Sequence, residues 1–249
     1  MVARDDITAF LDKFLEVDRV RDDFQNGLVF SGKPDIFTIG MAANATLKVI
    51  RACVRNRVDF LLTHHGGWRE IDLENFDSKI KMLERHHIAL YVAHASLDIS
   101  EKLGTANALA KLLDASVEGR FAEYCGGKAG VYGPVESIPF KELSRKVAQR
   151  LRVRVHAWKN ASLIVNRIGI VTGAGYKTEW LREAKQLGCD TYITGEGNVF
   201  TKIYSAEAGL NLILAGHTAT ERPGIIGLGT EVQKRFPSLK AVEISEPPL

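Results

Sequence analysis

Apolar residues at Ile7, Phe10, Leu11, Phe14 and Leu15 recur at the three- and four-residue spacing of one helix face, which predicts a helix over residues 5–17. A different rhythm follows. Short apolar runs at 36–40, 58–63 and 88–93 have the length of strands. The segments at 45–56, 78–87 and 99–113 read as helices between and after them. The glycine-rich stretch 126–133 breaks the pattern, either as a linker or as a loop needing backbone conformations that glycine adopts cheaply. Beyond it come a strand at 168–172, a helix at 178–188, a strand at 190–194 and a further apolar run, "LNLILAGHTATE".

The second alternation repeats the first. Asp59-Phe60-Leu61-Leu62-Thr63 and Asp190-Thr191-Tyr192-Ile193-Thr194 share the pattern Asp-x-x-aliphatic-Thr, each closing a β-α-β unit. The next apolar run ends in His94-x-x-x-Asp98 in one half and His217-x-x-x-Glu221 in the other. Strands alternating with helices imply an α/β fold whose mixed, largely parallel sheets are flanked by helices. The duplication implies two similar lobes, 1–125 and 126–249. In such sheets ligands bind beyond the carboxyl ends of the strands. His64, His65, His94, Asp98, His217 and Glu221 all fall at such ends.

Composition narrows the chemistry. A chain of 249 residues, 45% hydrophobic and 25% charged, is long enough to bury a substantial core. Its formal charge of +3 is spread over mixed-sign helix faces, so no nucleic-acid partner is expected. Residues 1–6 lack the apolar centre of a signal peptide, and no apolar stretch approaches the roughly 18 residues of a membrane span. A cytoplasmic protein without membrane attachment is the expectation. The three cysteines, Cys53, Cys125 and Cys189, form no CxxC pair, which argues against a disulfide framework or a thiolate zinc site.

Four of the seven histidines and two carboxylates therefore form the candidate ligand set. Imidazole and carboxylate suit divalent Zn, Fe, Mn, Co or Ni. Six donors exceed one tetrahedral ion and suit two ions about 3.5 to 4 Å apart, with carboxylates able to bridge. The pair His86-His87 follows the charged end of a helix and reads as surface, where cations complement the helix dipole. Gly173-Ala174-Gly175 follows a strand, as a tight turn or as a cradle of N–H groups for a phosphate. Glu196, in Thr194-Gly195-Glu196-Gly197-Asn198, is the counterpart of the His pair. It reads as a general base, a partner of a ligand, or a cap of the following helix. Trp68 and Tyr176 are pocket-lining or core residues.

Taken in order, Asp23-Phe24-Gln25-Asn26-Gly27-Leu28, "LLTHHGGW", His94 to Asp98, "GGKAG", "DTYITGE" and "AGHTATE" resemble the Nif-three-like family of dinuclear-metal proteins, often catalogued as GTP cyclohydrolase I type-2-like. The resemblance runs nearly end to end. It implies two intertwined α/β lobes, a two-metal site in the cleft between them, and a ring-shaped homo-oligomer, commonly a hexamer. It places the ligands at His64, His65, His94, Asp98, His217 and Glu221, with Asp98 and Glu221 as bridging carboxylates. The implied activity is metal-dependent hydrolysis of a small, nucleotide-like substrate. The alternative is a non-catalytic metal-handling, regulatory or protein-interaction role. Several positions depart from the family pattern. The usual aspartate after the first strand is Asn44, with loss of a polar neighbour expected. Gly66-Gly67 replace a common proline after the His pair, and Asn198, Val199 and Phe200 replace histidines after "TGE". Lys128 stands for an arginine, keeping the charge but losing a two-pronged donor.

Overall fold

The structure is a computed structural model and describes residues 1–22 and 26–246. In chain order its first half contains α1 (Arg4–Leu15), β1 (Gly27–Phe30), β2 (Thr38–Asn44), α2 (Leu47–Arg55), β3 (Phe60–His65), α3 (Glu74–Arg85) and β4 (Ala89–Val92). Then come α4 (Thr105–Leu112), β5 (Gly119–Tyr124), β6 (Gly127–Pro139), α5 (Phe140–Leu151), β7 (His156–Trp158) and β8 (Ile164–Val171). The remainder is α6 (Thr178–Gln186), β9 (Thr191–Thr194), α7 (Val199–Glu207), β10 (Asn211–Leu214), α8 (His217–Arg235) and β11 (Lys240–Glu243). The chain divides into two compact units, one from Met1–Ser100 with the described residues from Ile225 onward, the other from Glu101–Gly224. Among the described residues, no helix is long and apolar enough to cross a membrane.

In the first unit the sheet order is β11-β2-β3-β4-β1. The first four strands are parallel and β1 closes the edge antiparallel to β4. Phe60 to Thr63 and Ala89 to Val92 are buried without alternation, the signature of parallel strands covered on both faces. Val49, Ile50 and Cys53 of α2 and Leu83 of α3 pack on Leu61, Leu90 and Val92. Thr46 starts α2 by accepting a hydrogen bond from Val49 N at 3.1 Å.

In the second unit the order is β5-β6-β8-β9-β10-β7. Here β8, β9 and β10 are parallel and the other pairings antiparallel, so the sheet is mixed. One face carries Leu143, Val147 and Leu151 of α5 against Ile168, Ile170, Ile193 and Ile213. The other carries Leu181 and Ala184 of α6 against Tyr192 and Leu212. The stretch 126–133 is neither linker nor loop: it lies mostly in β6, and position 125/126 is the turn of the β5–β6 hairpin inside this unit. Its glycines serve close approach. A Cβ on Gly133 would stand 1.9 Å from Ser116 O, and one on Gly130 would stand 2.8 Å from the Phe121 ring.

The repeat has a physical meaning. Asp59 Oδ2 accepts from Phe37 N and Thr38 N, at 2.8 and 3.0 Å, at the start of β2. Asp190 Oδ2 accepts from Asn166 N and Arg167 N, at 2.8 and 3.1 Å, in β8. Each aspartate ties the strand it opens to its parallel neighbour. Each motif threonine then receives the chain leaving the third strand, with Ala93 N donating to Thr63 O and Ala215 N donating to Thr194 O. The same pattern thus delivers His94 and His217 to corresponding strand ends.

Candidate metal-binding sites

In the first unit, β3 lies between β2 and β4, and its last two residues are His64 and His65. Strand pairing brings Asn44 to one side of them and Ala93-His94 to the other. Buried His64 bonds through Nδ1 to Ala93 O at 2.7 Å. A carbonyl only accepts, so Nδ1 carries a proton, and the neutral ring presents its lone pair at Nε2. His94 Nδ1 contacts Asp22 Oδ2 at 2.7 Å, and that oxygen also accepts from Asn26 Nδ2 at 2.7 Å. Asn26 Oδ1 in turn accepts from His94 N and Ser96 Oγ, both at 2.9 Å. His65 Nδ1 meets Asn44 Oδ1 at 2.8 Å.

All three rings thus have Nδ1 engaged by an acceptor. The ligand atoms of His64, His65 and His94 lie within 4.8 Å of one another. Asp98, at the end of the single helical turn Ala95–Asp98, brings Oδ2 to 3.6 Å from His64 Nε2. Trp68 packs edge-on against the His65 and His94 rings, with centroids 5.7 and 5.3 Å away. An imidazole whose second nitrogen is held by an acceptor is the usual arrangement of a metal-ligating histidine. The donors are nitrogen and oxygen, which fits the divalent ions expected from the sequence. Burial pushes the Cys53 and Cys189 thiols up to about 12, which keeps them protonated.

In the second unit, Ala215 and Gly216 lead from β10 into α8, which begins at His217. The four-residue spacing puts Glu221 on the same helix face, with Oε1 at 3.0 Å from His217 Nε2. Glu196 Oε1 stands 2.8 Å from His217 Nδ1. Burial by itself would lower the His217 pKa, but Glu221 and Glu196 outweigh it and hold it at about 9. Gly173 is shaped by this pair: at φ +60, a Cβ there would stand 2.0 Å from Glu221 Oε1. Gly173 N donates to Thr220 Oγ1 at 2.9 Å and Gly173 O accepts from Glu196 N at 2.9 Å. The Gly-Ala-Gly turn therefore packs around the carboxylate, with its first N–H committed to Thr220.

The expected residues fall into two groups: His64, His65, His94 and Asp98 in one unit, and His217, Glu221 and Glu196 in the other. Glu196 is not a helix cap, because Asn198 and Thr201 form a reciprocal capping box at the start of α7. Nor does Asn44 remove a polar neighbour, since it bonds His65. Gly66 lets the backbone pass close to Val92, where a Cβ would meet Val92 Cγ2 at 2.8 Å. His86 and His87 are exposed, as expected of a surface pair. Sequence reasoning missed Asp22, Glu246 and the role of Gly173. No spacing rule joins Asp22 to His94 across 72 residues, although its place just before Asn26-Gly27-Leu28 was a usable signal. Asp23 to Gln25 lie outside the described residues.

The profile of the DUF34/NIF3 (NGG1p interacting factor 3) family matches residues 2–248. The chain belongs to this family. A relative in Pyrococcus abyssi, named GTP cyclohydrolase 1 type 2 homolog, is 31% identical, with 98% of each chain covered. The solved structure of protein ybgI, described as of unknown function, is 26% identical with a TM-score of 0.88 and 100% of both chains covered. That of TTHA1606 from Thermus thermophilus is 27% identical with a TM-score of 0.85 and 99% of both chains covered. The α/β fold with mixed sheets flanked by helices is therefore the fold of the family.

Proposed function

We propose that the protein is a metal-dependent hydrolase of a small, nucleotide-like substrate, with two divalent transition-metal ions per chain held by His64, His65, His94, Asp98, His217 and Glu221. The observation that carries the metal part is the shared state of the four imidazoles, each with Nδ1 engaged by an acceptor. The hydrolase part is supported by the name of the Pyrococcus relative, GTP cyclohydrolase 1 type 2 homolog. Ions of this class act as Lewis acids, making water nucleophilic near neutral pH and polarising the bond under attack. This chain's residues supply the donors and orient them. Ala93 O, Asn44 and Asp22 fix the rings of the first unit, and Glu196 fixes His217. Trp68 forms an apolar wall beside two of the rings.

A second reading, metal handling without catalysis, is favoured by one observation. Glu196, the base candidate from the sequence, is committed to His217 Nδ1 and reads as a positioning residue. One experiment separates the two. Protein purified without chelators carries close to two transition-metal ions per chain by elemental analysis, and His64→Ala/His65→Ala loses most of them. Metal-free wild-type protein would overturn both readings. Metal-replete protein is then incubated with a panel of nucleotides and phosphoesters. Turnover that Glu221→Ala abolishes supports the hydrolase, and metal exchange without turnover supports handling. We also propose a homo-oligomer, supported by the family resemblance and by Val199, Phe200 and Ile203, which expose an apolar strip of α7. Light scattering that gives the mass of one chain would exclude it.

A further inference from the structure

The partner of His65 differs in kind from those of the other rings in its unit. Ala93 O and the Asp22 carboxylate can only accept a hydrogen bond, so His64 and His94 have one possible Nδ1 state. Asn44 is ambidentate. Turned one way its side chain offers a carbonyl oxygen to His65 Nδ1, and turned the other way it offers an NH2 group. The second orientation would force the ring proton onto Nε2 and cover the lone pair a metal needs.

Glu246 removes the choice. Its Oε1 accepts from Asn44 Nδ2 at 2.8 Å and from Asn44 N at 3.0 Å, and its Oε2 accepts from Ala43 N at 2.6 Å. A carboxylate cannot donate, so the amide must turn its NH2 toward Glu246 and its oxygen toward His65. The neutral ring then donates from Nδ1 and carries its lone pair on Nε2. Backbone bonds from two consecutive residues of β2 fix the carboxylate, so the orientation is anchored to the strand itself.

We infer that Glu246 is a positioning residue that sets the His65 tautomer through Asn44, so that His65 presents Nε2 to a metal ion. The inference rests on His65 being a ligand. An aspartate at 44 would set a second carboxylate against Glu246, whereas an amide bridges the carboxylate and the ring.

The test reads tautomer and affinity separately. Long-range proton–nitrogen correlation spectra of chelated, histidine-labelled protein give the protonated nitrogen of each ring, with His65 assigned by its loss in His65→Ala. Wild type is expected to show the Nδ1–H form at His65. Glu246→Ala should convert part of it to the Nε2–H form while leaving His94 unchanged. Zinc affinity, by competition with a chromogenic chelator, should fall about 10- to 100-fold, the usual effect of losing such a partner. Glu246→Gln, which keeps the size and lets either amide orientation pair, gives the same change in smaller degree if the alanine variant does not fold. Asn44→Asp alone should weaken zinc binding, and Asn44→Asp/Glu246→Gln should restore it, because the acceptor then faces the ring and the amide lies behind. Loss of mere packing would lower the melting temperature without moving the tautomer. An Nε2–H form in wild type, or an unchanged His65 in folded Glu246 variants, overturns the inference. If wild type binds no zinc, the ligand reading fails, and the tautomer spectra still decide the role of Glu246.

Discussion

Gly173 shows how one missing side chain shapes a site. Its carbonyl and N–H hold Glu196 and Thr220, while Glu221 Oε1 occupies the space a Cβ would need. In Gly173→Ala the backbone is strained at φ +60 and the buried Glu221 carboxylate must leave His217. Metal content should fall in this variant while the far-ultraviolet circular dichroism stays that of wild type; full metal content would contradict the assignment. His217 sets a pH dependence in chelated protein. Its pKa is raised from 6.5 to about 9, so the imidazolium's contribution to stability is fully present below pH 6.5 and is lost as pH rises through 9. The melting temperature of chelated wild type should therefore fall relative to His217→Gln between those values. Parallel curves for the two proteins would show that the carboxylates do not hold that proton.

Elements were legible where the local signal was strong. The strands ending at His65 and Val92 and the α2 and α6 helices follow from apolar runs and helical spacing. The β6 strand was not, because glycines read as breakers, whereas here they admit Phe121 and Ser116 against the backbone. Helix α8 hides for a similar reason: it contains Pro223, and Gly229 sits where a Cβ would meet Met41 Sδ at 1.9 Å. The repeated aspartates act at this scale too. Asp59→Ala and Asp190→Ala each leave two strand N–H groups without their acceptor, at a cost of about 1 to 3 kcal/mol. Urea midpoints should drop for both; a drop in one alone would break the equivalence of the two motifs.

At the scale of the molecule, an ion that binds only the folded chain would be linked to the fold by mass action. Zinc at about 100 times its Kd should stabilise the chelated protein by about 2.7 kcal/mol per site, and His64→Ala/His65→Ala should lack most of that gain. Calorimetric scans with and without zinc measure this directly. An equal gain in the double variant would place the stabilising zinc elsewhere.

The sequence by itself determined the alternation of strands and helices, the duplication, and the histidines and carboxylates at strand ends, because these depend on spacing along the chain. It did not show that His217 and Glu221 share a helix face, because the helix that places them one turn apart was hidden. Only the tertiary structure decided what holds each imidazole. Asp22 reaches His94 across 72 residues, and Glu246 reaches Asn44 across 202. Such pairs arise when the fold brings remote segments beside a strand end, and no local period encodes them. The same holds for Asn44: as a letter it was a missing aspartate, and in the sheet it became the group that turns His65.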